Sequence, residues 1–149
     1  MQNEIPSIDF ESSIGPWLGR TIKIVDYFFA EAMQEYGIDL SKEQMIVLKK
    51  LHENDGLNQN ELACLTYRDK SSLARLLFKM EQKKYISRKQ GTEDKRINEV
   101  FLTPLGKEMY QKTRPIVKEV IDIMEQNITD KEKKQIISIL KKVQANFLN

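Results

Sequence analysis

The sequence predicts a mainly α-helical chain with one small β-hairpin, an α+β class, and three observations carry that expectation. Apolar residues recur at the spacing of a helix, about 3.6 residues per turn, both before residue 84 and after residue 103. Between them, Ile86-Ser87-Arg88-Lys89-Gln90 and Asn98-Glu99-Val100-Phe101-Leu102 read as two short strands. Several of the helices also open on polar residues suited to capping them.

After a loose arm around Pro6, the residues Ile14, Trp17, Leu18, Thr21, Val25, Phe28, Phe29, Ala32 and Met33 mark a long first helix that stops near Gly37. Its apolar stripe is wider than a surface helix needs, which points to a partner chain over part of it; burial within its own chain is the alternative. Ser41 with Gln44 is a capping-box pattern and Leu40 with Met45 a hydrophobic staple, so a second helix covers about Lys42 to Asn54. Asp55-Gly56 ends it. Asn58 with Glu61 and Leu57 with Leu62 repeat both signals for a third helix from Gln59 to about Leu65. A turn through Thr66, Tyr67 and Arg68 leads to Asp69, the cap of a fourth helix from Lys70 to about Lys83, with Leu73, Leu76, Leu77 and Met80 facing inward.

The two strands follow, joined by the exposed, charged loop Gly91-Thr92-Glu93-Asp94-Lys95-Arg96. Thr103-Pro104 then opens a long helix toward Ile128, because the proline lacks only a donor that the first turn leaves unpaired. Pro115 inside it predicts a kink. Thr129 and Glu132 cap a last helix that reaches Phe147.

Composition bounds the function. A chain of 149 residues supports one compact domain, or a small lobe with a helical extension, and 40% hydrophobic with 31% charged residues fits a folded, non-membrane protein. No apolar run approaches the roughly 20 residues of a membrane span, and the acidic first stretch lacks the basic start of a secretory signal, so the chain is read as cytoplasmic. One cysteine, Cys64, and one histidine, His52, furnish neither a disulfide nor an ordinary zinc site. No phosphate loop, no glycine-rich dinucleotide turn and no nucleophile with a paired base is found, which argues against an enzyme and gives no cofactor or metal to expect. Cys64, within Glu61-Leu62-Ala63-Cys64-Leu65, is expected to be a buried small side chain. His52 falls in the last turn of its helix, where a cation is modestly favoured.

A short helix, a tight turn and a longer helix followed at once by a hairpin form the outline of a winged helix-turn-helix. On the fourth helix, steps of about 100° per residue set Ser71, Arg75, Phe78, Lys79 and Gln82 opposite the apolar face, with Lys70 and Ser72 at the margins. Small residues near the start of that helix would let it approach a major groove, and Arg75 is long enough to reach a guanine edge or a phosphate. The net charge is only +2, yet Lys79, Lys83, Lys84, Arg88, Lys89, Lys95 and Arg96 crowd onto this helix and the hairpin. That local basic footprint favours a nucleic-acid surface over the alternative, an ordinary solvated helix face.

These segments resemble the core of the MarR family of transcriptional regulators. Asn58-Gln59 with Glu61-Leu62-Ala63, Asp69-Lys70-Ser71-Ser72-Leu73 with Arg75, Asp94 with Arg96, and Leu102-Thr103 with Gly106 carry the resemblance by their order and spacing. It implies a single domain over residues 1–149, with a winged-helix lobe over about 40–103 and dimerisation helices over about 14–36 and 104–148. It implies a regulator, read as a repressor, bound as a homodimer to double-stranded DNA at a pseudo-palindromic operator. The expected DNA-binding set is Gln59, Lys70, Ser71, Ser72, Arg75, Lys79, Arg88, Lys89, Asp94, Lys95 and Arg96. Arg96 would enter the minor groove and Asp94 would pair with it to fix its direction.

The resemblance also implies that Trp17, Tyr27, Phe28, Tyr36 and Tyr67 line a cleft between the lobe and the dimer region for a small aromatic or anionic effector; packing in the core is the alternative. The interface of the dimer would draw on Ile14, Trp17 and Leu18, and on Ile136, Ile137, Leu140, Val143, Phe147 and Leu148. The sequence departs from the family at Lys84, where a left-handed glycine is usual. A winged-helix module that docks an acidic protein without reading DNA is the alternative.

Overall fold

The structure is a computed structural model that describes residues 4–148. Among the described residues, six helices and one hairpin follow the predicted order: α1 (Ile14–Glu35), α2 (Lys42–Glu53), α3 (Gln59–Thr66), α4 (Lys70–Gln82), β1 (Ile86–Gln90), β2 (Asn98–Leu102), α5 (Pro104–Met124) and α6 (Asp130–Ala145). The caps explain the boundaries. Ser41 with Gln44, Asn58 with Glu61, and Thr129 with Glu132 each form a complete capping box. Asp69 and Thr103 accept from the main-chain N–H groups of Ser72 and Gly106. Each cap satisfies a donor that the first helical turn would leave unpaired. At the far end of α1, Gly37 turns left-handed at φ +66°, and the Ile38 N–H returns to the Met33 carbonyl at 2.9 Å.

The core is one cluster. Val47, Leu48 and Leu51 of α2, Leu62 of α3 and Leu73, Leu77 and Met80 of α4 close on Ile86, Val100 and Leu102 of the hairpin. Phe29 and Met33 of α1 and Tyr110 and Ile116 of α5 complete it, so the two long helices are anchored to the lobe at one end. Their apolar side chains lose water together, roughly 1.5–3 kcal/mol for each fully buried aliphatic residue. Leu76 is only half-buried.

The strands pair antiparallel, Ile86 opposite Leu102 and Arg88 opposite Val100. The chain entering α3 adds the stub of a third strand: Val100 N–H donates to the Leu57 carbonyl at 2.9 Å and Gly56 N–H to the Val100 carbonyl at 3.0 Å. Two residues of extended chain carry no period that sequence reading can detect, so this pairing was not expected.

Two expectations change. α5 ends at Met124 rather than at Ile128, because Asn127 turns left-handed at φ +63° ahead of the Thr129 cap; Asn tolerates that conformation better than most residues. α5 carries Pro115 inside its span. Cys64 is exposed, not buried: α3 turns Leu62 and Ala63 inward, and the next residue, about 100° further on, faces out.

The turn after α4 sets the angle between that helix, the hairpin and α5. Lys84 adopts φ +64°, the left-handed conformation expected of a glycine, at a cost of roughly 1 kcal/mol for a residue with a Cβ. The Thr103 hydroxyl donates to the Lys84 carbonyl at 2.6 Å while accepting from Gly106 N–H at 3.0 Å, and Thr103 N–H donates to the Tyr85 carbonyl at 3.1 Å. Gly106 lies so close that an added Cβ would stand 2.0 Å from the Tyr85 carbonyl oxygen. Opposite outcomes are expected at this corner in denaturant titrations. Gly106→Ala loses at least about 2 kcal/mol because main chain must move, and Lys84→Gly gains up to about 1 kcal/mol because the strain is removed. A neutral Gly106→Ala would refute the close packing.

Candidate nucleic-acid interface

The exposed side of α4 is built by its buried side. With Leu73, Leu77 and Met80 committed to the core, Lys70, Ser71, Arg75, Phe78, Lys79 and Gln82 stand in solvent, and Ser72 is half-buried. The Asp69 cap fixes the start of the helix: its Oδ1 accepts from Ser72 N–H at 2.8 Å. That hydrogen bond holds the Asp69 carboxyl below its ordinary pKa, and the Arg75 charge acts in the same direction. The opposite end is tied down by Lys83, whose Nζ donates to Asp39 Oδ1 at 3.0 Å and to Gln44 Oε1 at 3.2 Å.

The turn between α3 and α4 holds a second strained residue. Tyr67 is left-handed at φ +53° and 82% exposed. Arg68, which sequence reading passed over as a turn residue, folds back so that its Nη2 donates to Ser72 Oγ at 2.8 Å. A lone arginine in a turn gives no signal of this in sequence.

The wing rises from β1 and β2. At its base Gly91 N–H donates to the Ile97 carbonyl at 2.7 Å and Ile97 N–H to the Asp94 carbonyl at 3.2 Å. Glu93, Asp94, Lys95 and Arg96 are exposed at its tip. Asp94 acts differently from the pairing that the resemblance implied. Its Oδ1 accepts the main-chain N–H of Arg96 at 3.0 Å, and the two side chains form no ion pair among the described residues. A short carboxylate two residues back reaches the amide more easily than the end of a long side chain.

Two other expected site residues are engaged within the chain. Arg88 makes a two-pronged ion pair with Glu81 of α4, with Nε and Nη2 each 3.1 Å from a carboxylate oxygen, which lowers the Glu81 pKa. It braces β1 against α4. Gln59 Oε1 accepts from Asn98 Nδ2 at 3.4 Å, joining the start of α3 to the wing. Lys89 lies with its Nζ 5.3 Å from the Phe101 ring centre. By contrast, none of Lys70, Arg75, Lys79, Lys89, Lys95 and Arg96 is in an ion pair among the described residues. These exposed charges sit on α4 and the wing.

The five aromatic residues expected to line an effector cleft do not converge. Trp17 Nε1 donates to the Glu11 carbonyl at 2.8 Å under the Arg20 guanidinium, and Tyr67 sits on the α3–α4 turn. Tyr27 packs edge-on to Phe28, and its hydrogen bond with Glu31 raises its pKa. Tyr36 donates to Glu119 Oε2 at 3.4 Å. Of the five, only Phe28 lines the groove of about 440 Å³ between α1 and α5, where Glu31, Glu35 and Glu119 flank Ile24, Val25, Val120 and Ile123.

No helix among the described residues is long and apolar enough to cross a membrane, and no group of His, Cys, Asp or Glu among them could hold a metal ion.

The geometry agrees with what the chain resembles among known proteins. The MarR family model matches residues 40–97, from the start of α2 to the end of the wing loop. The HTH-type transcriptional regulator SarZ of Staphylococcus aureus (strain USA300) is 31% identical over 120 residues, 80% of this chain and 78% of its own length. Among solved structures, the transcriptional repressor CouR, bound to a 23-mer DNA duplex, aligns with a TM-score of 0.83 at 20% identity, covering 95% of this chain and 99% of its own. The PcaV regulator of Streptomyces coelicolor, in complex with its natural ligand, aligns with a TM-score of 0.78 at 16% identity, covering 95% and 98%. Those two likenesses establish the fold, and the relatives are transcriptional regulators rather than enzymes. With the family model over the lobe and a regulator of this identity along four-fifths of its length, the chain belongs to the MarR family of DNA-binding winged helix-turn-helix transcriptional regulators.

Proposed function

We propose that the protein is a homodimeric repressor that grips a pseudo-palindromic operator with α4 in the major groove and the wing in the minor groove, and that a small molecule releases it. The observation that carries the reading is the set of exposed cations without ion pairs, Lys70, Arg75, Lys79, Lys89, Lys95 and Arg96, on the two elements that would meet a duplex. Charges held in internal pairs would have to be freed before neutralising phosphates; these need not be. Arg75 is the base-reading residue, with Ser71 and Ser72 beside it near the start of α4, Gln59 at the margin, and Lys70 and Lys79 toward phosphates. Arg96 is the minor-groove probe, its main chain held by Asp94, and Lys95 adds general attraction. Arg88 positions the wing through Glu81 rather than contacting DNA.

The dimer is supported by α6. None of its residues is buried, it makes no substantial contact with another element, and Ile136, Ile137 and Ile139 are each about half exposed. An amphipathic helix held away from its own chain needs another surface to cover it. Ile14, Trp17, Phe147 and Leu148 are exposed in the same way. Two-fold pairing through these residues of residues 14–36 and 104–148 would set the two α4 helices about 34–36 Å apart, one turn of DNA. The winged-helix lobe is residues 40–103.

For the effector, PcaV's solved complex with its natural ligand supports small-molecule control in general. The α1–α5 groove changes the expected chemistry: three carboxylates at its rim favour a neutral or cationic aromatic molecule over an anion.

Two measurements check the reading. In anisotropy titrations Arg96→Ala weakens binding to enriched and random duplex alike, with a shallower dependence on salt, whereas Arg75→Ala costs about 1–3 kcal/mol mainly on the enriched site. Arg96→Ala binding like wild type would remove the wing from the interface. In sedimentation, the wild-type chain runs as a dimer and Ile136→Asp with Ile139→Asp shifts it toward monomer. A wild-type monomer at micromolar concentration would contradict the proposed assembly. Binding to an acidic protein with no preference for duplex would instead favour the interaction-module alternative.

A further inference from the structure

Arg68 is held in an unusual way. Its main-chain N–H donates to the Ala63 carbonyl at 3.0 Å and closes the end of α3, so the chain is fixed beneath the guanidinium. The side chain is half-buried, its Nη2 donates to Ser72 Oγ at 2.8 Å, and its Nε is shut off from solvent with no partner among the described residues. A buried donor left unpaired destabilises a fold, and an aliphatic side chain of similar length would fill the same space without it. The unpaired Nε therefore offsets what the Ser72 hydrogen bond contributes, and the stability of the lobe alone is a weak reason for an arginine here.

The Ser72 side gives a stronger one. Asp69 already takes up Ser72 N–H, and Arg68 occupies a lone pair of Ser72 Oγ. A hydroxyl accepting from a cationic donor has its own hydrogen turned elsewhere and becomes a stronger donor through polarisation. Ser72 stands in the first turn of α4, next to the exposed Ser71 and one turn before Arg75. We infer that Arg68 is a positioning residue of the DNA interface: it orients the Ser72 hydroxyl as a hydrogen-bond donor toward an acceptor on the duplex. The inference rests on the regulator reading above and adds to it a residue that does not itself touch DNA. Arg68 and Ser72 act as one unit, with the arginine setting the direction of the proton and the serine delivering it.

The test is a double-mutant cycle on the full chain, with a duplex enriched by the wild-type protein from a random pool and an unrelated duplex as probes. Arg68→Met keeps or raises the melting temperature yet weakens binding about threefold to tenfold, and Ser72→Ala weakens binding by a similar factor. In the Ser72→Ala background, Arg68→Met has a smaller effect, because the hydroxyl it orients is gone. The loss of one positive charge is common to both backgrounds and cancels in the comparison. Losses shared by both duplexes assign the acceptor to a phosphate, and losses confined to the enriched duplex assign it to a base edge. Equal losses in the two backgrounds, or a loss of binding in Arg68→Met that follows a fall in its melting temperature, would overturn the inference. A wild-type chain without salt-dependent duplex binding would instead overturn the regulator reading.

Discussion

The structure depends on the corner where α4 becomes the hairpin and the hairpin becomes α5. There the Tyr85 carbonyl accepts from Thr103 N–H, the Lys84 carbonyl accepts from the Thr103 hydroxyl, and Gly106 stands where any larger residue would strike the Tyr85 main chain. Three elements that must hold fixed angles to one another meet within a few residues. If the corner opened, α4 and the wing could not face one duplex together, and α5 could not hold the lobe at a defined angle. The left-handed Lys84 is the strain that this geometry demands. Its neighbour Lys83, paired with Asp39 and Gln44, holds the same corner to the start of α2.

Charge is divided by that scaffold into two kinds. Arg88 and Lys83 are committed to Glu81 and Asp39 and serve the architecture. Arg75, Lys79, Lys95 and Arg96 are exposed and have no such commitment. A net charge of +2 is therefore a poor guide to the surface, because acidic residues elsewhere balance cations that the fold gathers on one side. Exposed ion pairs contribute little to stability, so leaving these cations unpaired costs the fold little and leaves them available to phosphates.

How much was legible in the sequence depended on whether the signal was local. Capping boxes at Ser41, Asn58 and Thr129, the Asp69 cap and the strand runs at residues 86–90 and 98–102 were all readable, because each is decided by residues within one or two turns of each other. The left-handed site at Lys84 was legible only through the family resemblance. What could not be read required partners distant in sequence or fine differences of direction. The ion pair of Arg88 with Glu81 joins two elements across a turn and has no local signature. Asp94 reached the Arg96 main chain rather than its guanidinium, Cys64 faced out by one step around a short helix, and of the five expected aromatics only Phe28 came to line the α1–α5 groove. Arg68 carried no motif at all; only its contact with Ser72 and its unpaired Nε single it out.

The central claim is that the corner presents uncommitted cations on α4 and the wing to a duplex. Its most direct test is the affinity of the wild-type chain for duplex DNA from its own upstream region, measured by anisotropy over a series of salt concentrations. Log affinity should fall linearly with log salt, with a slope of magnitude about 5 or more for the proposed dimer neutralising several phosphates per protomer. A flat salt dependence, or no duplex binding at low salt, would contradict it.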